Sequence, residues 1–130
     1  MKNQSWLTLI IFFLSANAHA FHSKNIEIFE QFDDLKMVAF IDKNDILDNP
    51  EWNPDISTPP LTIAEAIKAI KTFNKSSNSI KEIELKLLPN ETKHWHYLVK
   101  TEDNTAKTKY NIYVVLMNGK VIPAIIEPQT

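Results

Sequence analysis

The run 109–117 (KYNIYVVLM), leading into Asn118-Gly119, constrains this chain more than any other stretch. It is apolar at both parities, as expected of a central strand rather than a half-solvated one. Asn-Gly after such a run is a strong hairpin signal, because both central residues of a type I′ turn take positive φ. A two-residue loop sets the register, with Leu116 opposite Val121, Val114 opposite Pro123 and Ile112 opposite Ile125. Pro123 cannot donate to a ladder, so the closing strand is expected at a sheet edge. Gly119 is also the one glycine of the chain.

Two further strands are legible upstream. In 82–88, Ile83, Leu85 and Leu87 alternate with Glu82, Glu84 and Lys86, and Pro89 ends the run. In 94–101, Trp95, Tyr97 and Val99 share one face, and His94, His96, Leu98 and Lys100 the other. A helix is expected over 61–73. Thr62 with Glu65 forms a capping box, and Ile63, Ala66, Ile67, Ile70 and Phe73 form a stripe suited to covering a sheet. Segment 21–48 reads as two strands, with Ile26 and Ile28 in the first, a turn at Phe32-Asp33-Asp34 and 36–41 as the second. Helical spacing of Ile28, Phe32, Leu35 and Ala39 competes with that reading. The acidic stretch 42–60, with four prolines, reads as a connector. Asp42, Asn44 and Asp45 suggest a calcium loop, but its glycine and closing carboxylate positions hold Leu47 and Asn53. The fold expected is α+β, one amphipathic helix on an antiparallel sheet of about four strands. Residues 21–60 and 61–130 would form a single domain.

Residues 1–20 read as an export signal. Lys2 precedes the nine-residue apolar run 6–14, and Ala18-His19-Ala20 offers a small-x-small cleavage site. At roughly 1.5 Å per residue the run falls far short of a hydrocarbon core about 30 Å thick. The expected mature chain starts at Phe21 and is periplasmic or secreted, with no stable membrane insertion. It carries thirteen lysines against sixteen carboxylates and no arginine, a balance that argues against nucleic acid as partner. Cysteine is absent, which excludes thiol catalysis and leaves an exported domain to its apolar core.

The succession of helix, strand, Trp/Tyr-bearing strand and glycine hairpin resembles the PepSY domain over residues 61–126. The similarity is best in Tyr110-Asn111-Ile112-Tyr113-Val114-Val115-Leu116-Met117-Asn118-Gly119-Lys120-Val121-Ile122, which is similar to that family's closing hairpin. Ala64-Glu65-Ala66-Ile67 is similar to its helix opening. Two positions depart from the pattern, Val115 where an acidic residue is common and Asn118 where threonine is usual. The resemblance implies a small helix-on-sheet module of exported bacterial proteins, with peptidase inhibition or protein binding as its role and no catalytic set.

Candidates for chemistry are few. His94 and His96, two apart on a strand, share a face and match a spacing used in metal sites, with His22 or a carboxylate as a third ligand. An ordinary solvent-facing pair is the preferred reading and no metal is expected, in which case both histidines can be replaced without loss of fold. No serine sits in a glycine-flanked elbow, and one glycine cannot build a phosphate loop. No cofactor and no enzymatic activity are expected. Trp52 and Tyr113 are candidate exposed anchors for a protein partner, although Trp52 also suits a role stapling its loop to the domain. The function expected is a non-catalytic protein-binding module, a regulator or inhibitor of an envelope protein such as a peptidase. The alternatives are a periplasmic metal-binding protein built on His94 and His96, and a toxin-immunity protein.

Overall fold

The computed structural model describes residues 25–32, 35–75 and 78–128. Cleavage at Ala20 and any role of His22 lie outside them. Ile26 and Ile28 share one face of β1 (Asn25–Gln31), which pairs with β2 (Leu35–Asp42), Ile28 opposite Ala39. The two-strand reading of this segment is thus the correct one. Asp42 caps a short helix, α1 (Lys43–Leu47), by accepting from the Asn44 amide at 2.9 Å. The connector therefore opens on a helical turn. Of the residues in the incomplete calcium pattern, Asp42 is spent on that cap and Asp45 pairs with Lys120 at 2.7 Å.

The main helix, α2 (Ile63–Asn74), begins at Thr62 with both bonds of the capping box formed. It ends on Lys75 in the left-handed region, φ 52°. Strands β3 (Ile80–Leu87), β4 (Trp95–Glu102), β5 (Tyr110–Leu116) and β6 (Val121–Pro123) form a four-stranded antiparallel sheet in that order. The chain then leaves that sheet at Ala124, and β7 (Ile125–Pro128) pairs with β2 instead. The second sheet is β1-β2-β7.

The expected architecture is overturned here. Described residues are 45% strand and 17% helix, arranged as two antiparallel sheets of three and four strands with two short helices. Both faces of the four-stranded sheet are therefore core. Ile112, Val114, Leu116 and Leu98 pack against Ile28, Met37, Ala39 and Ile41 of the second sheet. Tyr97, Val99, Tyr113 and Val115 pack on the other face with Ala66 and Ile70 of α2. A strand apolar at both parities needs two covers, and one helix can supply only one.

The hairpin also differs from the expected one. The Gly119 amide donates to Leu116 O at 2.9 Å, and Leu116 N donates to Lys120 O. Only Gly119 in this loop has positive φ, at 89°. This is a three-residue loop, a turn followed by a left-handed glycine, rather than a type I′ turn. The extra residue moves the register by one, so Val115 faces Val121 and Tyr113 faces Pro123. The edge position expected for the closing strand holds, because β6 and β7 each end their sheet. Asn49 braces the turn from the connector. It is buried, and its Oδ1 accepts from the Asn118 amide at 3.1 Å.

Candidate functional site

His94 and His96 are not brought together as a site. His94 precedes β4, and its Nδ1 lies 3.0 Å from Glu91 Oε2 within the β3–β4 loop. His96 is 1% exposed and sits on the β4 face turned toward the second sheet. The expectation of a solvent-facing pair is therefore corrected: β1 and β2 cover the face on which that reading placed His96. Burial pushes the His96 imidazole down to about 4, and the nearby Lys86 ammonium adds to the shift. Glu30 and the Lys86 main chain pull weakly the other way. Neither ring nitrogen meets hydrogen-bond geometry with a partner. Among the described residues, no three His, Asp or Glu side chains lie close enough to hold a metal.

Trp52 and Tyr113 are buried, at 8% and 5% exposure, so neither stands out as an exposed anchor. Trp52 N–H donates to Lys93 O at 2.9 Å, its indole Nε1 donates to Ser57 O at 3.0 Å, and its ring stacks edge-on with Trp95 at 5.3 Å. It fastens the connector to the β3–β4 loop. Tyr113 lies under α2, where its hydroxyl accepts from Asn74 Nδ2 at 2.6 Å and its ring meets Phe73 edge-on. Parity correctly set Tyr113 on the face opposite Ile112 and Val114, but that is the face α2 covers.

The surface that remains open lies at β3. Helix α2 packs against β5 and β6, which leaves the helix-side face of β3 only partly covered. Ile63 at the first turn of α2 is 56% exposed, Leu85 37% and Leu87 40%. Ile63 and Leu85, with Pro59, Ile83 and Tyr97, line an apolar groove of about 440 Å³; Leu87 lies further along β3. Its floor is rigid, because the Tyr97 hydroxyl donates to Leu61 O at 2.6 Å in a buried setting. Burial holds that phenol above its ordinary value, helped by the charge of Glu65. Beside the groove runs the outer edge of β3, which no described strand pairs. On the far face of β3, Lys86 bonds Glu30 at 2.5 Å and reaches Glu84 at 3.4 Å. The Glu30 contact, which raises the Lys86 pKa, ties the open sides of the two sheets together.

A second apolar patch lies on the outer face of the three-stranded sheet. There Phe29, Val38 and Ile125 face one another across the strands, with Phe40 beside them. Phe29, Ile125 and Phe40 are 59%, 57% and 49% exposed. Sequence reading missed both surfaces. The available signals were β2 being apolar at both parities, and Ile63 lying at the margin of the helical stripe. A larger cleft of about 560 Å³ between Glu51–Pro54 and Thr92-Lys93 is bordered mainly by polar and charged side chains.

Compared with known proteins, the chain matches no family model, no curated protein and no solved structure. The PepSY resemblance therefore rests on the residues quoted for it.

Proposed function

We propose that this chain is an exported, non-catalytic protein-binding module that regulates or inhibits a protein of the cell envelope, with a peptidase as the class the resemblance implies. The observation that carries the reading is the half-covered strand β3. It combines an unpaired edge with an apolar groove under Ile63 and Leu85, on a floor of buried Tyr97. Those are the two ingredients of recognition by strand addition, in which main-chain bonds supply affinity and alternate side chains fill a groove. An extended segment of a partner fits this geometry better than a small ligand, because the groove offers little beyond apolar contact and main-chain polar groups.

The test is capture from an envelope extract by the mature protein beginning at Phe21, beside an Ile63→Glu, Leu85→Glu double variant. The reading expects a protein, identified by mass spectrometry and reconstituted from pure components, that the parent retains and the variant loses. Equal retention by both, with thermal midpoints matched, overturns it. Intact mass of the exported protein checks the start at Phe21.

A further inference from the structure

Charged residues along an edge strand ordinarily keep other strands away. On β3 their order has a different consequence. Read outward from Leu85, the strand carries Glu84 and Lys86 on its two sides, then Ile83 and Leu87. The apolar positions are symmetric about Leu85, and the charged positions are opposite in sign. We propose that the extended segment recognised by β3 is β3 of a second copy of this chain, paired antiparallel about a two-fold axis through Leu85.

This rests on the strand-addition reading above and names its partner. In this register Glu84 faces Lys86 of the other copy, and Lys86 faces its Glu84. Ile83 faces Leu87, and Leu85 meets its own mate. Directly opposite side chains lie about 4.5–5.5 Å apart, and opposite charges there stabilise while like charges do not. The neighbouring register, with its axis at Glu84, also faces Glu82 with Lys86. It sets two Glu84 carboxylates against each other, however, and places Leu87 opposite Lys81, and so gives up both the charge match at the axis and the apolar match beside it. Registers differing by an odd number of residues would bring apolar and charged faces together.

Pairing of this kind satisfies the open edge of each copy and joins two four-stranded sheets into one of eight. It also brings the two apolar grooves together at the axis, so Leu85 and Leu87 gain cover from the partner's strand. The contact is isologous, as a closed dimer requires. The Lys86 ammonium has three donors; Glu30 takes one and the Glu84 of its own chain lies 3.4 Å away, which leaves a donor for the partner's Glu84.

The experiment is sedimentation velocity on the mature protein and two charge variants, with thermal melts to verify folding. The parent is expected to be dimeric. Glu84→Lys alone and Lys86→Glu alone each place like charges opposite one another twice and should be monomeric. Mixed in equal amounts, the two variants face lysine with glutamate at both positions and should recover a dimer. With the axis at Glu84 instead, Glu84→Lys alone would remain as dimeric as the parent, and the register proposed would fall. Because the chain has no cysteine, Leu85→Cys should form an intermolecular disulfide on mild oxidation, whereas Ile83→Cys should not. That pair stands in for the charge variants if Lys86→Glu fails to fold. A parent that stays monomeric at every attainable concentration overturns the self-pairing. The strand-addition reading then survives if capture of an envelope protein still depends on Ile63 and Leu85.

Discussion

Acidification should destabilise this domain through one side chain. His96 is 1% exposed, and its imidazole titrates at about 4 in the folded chain against 6.5 for a solvated histidine. As pH falls through 6.5 the unfolded chain takes up a proton on His96, while the folded chain takes it up only near 4. The folded state binds fewer protons across that window, so the stability linked to His96 is fully present above 6.5 and is lost as pH falls toward 4. At about 1.36 kcal/mol per unit the whole loss is roughly 3 kcal/mol, of which about 2 kcal/mol has gone by pH 5. For a domain of this size that is a fall of roughly 8 °C in thermal midpoint. The assay is the near-ultraviolet circular dichroism melt at pH 7 and pH 5, on the parent and on His96→Leu. The leucine variant should lose distinctly less between the two pH values. At pH 7 it should match or exceed the parent, since it replaces a buried polar ring, whose nitrogens fall short of hydrogen-bond geometry, with an apolar side chain. Asp103 acts at lower pH, since bonds from the Thr105 hydroxyl and amide and from Asn111 hold its carboxyl below the usual range. A parent that loses no more than the leucine variant would refute the reasoning.

Gly119→Val should lower the denaturant midpoint by the equivalent of about 1–2 kcal/mol, because φ is 89° and a branched side chain resists that region. A Cβ there meets nothing within 4 Å, so the whole cost is backbone strain, and an unchanged midpoint would contradict the loop geometry. Thr62→Ala removes the cap of α2 and should cost about 1 kcal/mol in the same assay. Tyr97→Phe leaves the Leu61 carbonyl without its buried donor and should cost roughly 1–3 kcal/mol, visible as a lower thermal midpoint. Lys75→Gly should raise stability by a few tenths of a kcal/mol up to about 1 kcal/mol, since φ is 52° at this helix end.

Much of the local structure was legible in the residues alone. Thr62 and Glu65 announce the start of α2 because a capping box is a contact between near neighbours. Ile83, Leu85 and Leu87 announce β3 because alternation is a property of one strand. Pro123 announces an edge because it lacks a donor, and it lies on β6 at the end of its sheet. The acidic, proline-bearing connector concealed α1, since a five-residue helix leaves almost no periodic trace.

What covers each face was decided only by tertiary structure. Parity shows that His96 and Leu98 share a face of β4, but it does not show whether that face meets water or another sheet. The answer comes from β1 and β2, more than fifty residues away in sequence, and from the departure of the chain at Ala124 into β7. The same choice buries Tyr113 and exposes Phe29 and Phe40. It also left β3 half-covered, because α2 settled over β5 and β6. Local chemistry determines which side chains travel together on a face, since that follows from the backbone repeat. Which face is buried depends on the competition among distant segments for the same apolar surface, and that competition is settled only when the whole chain packs.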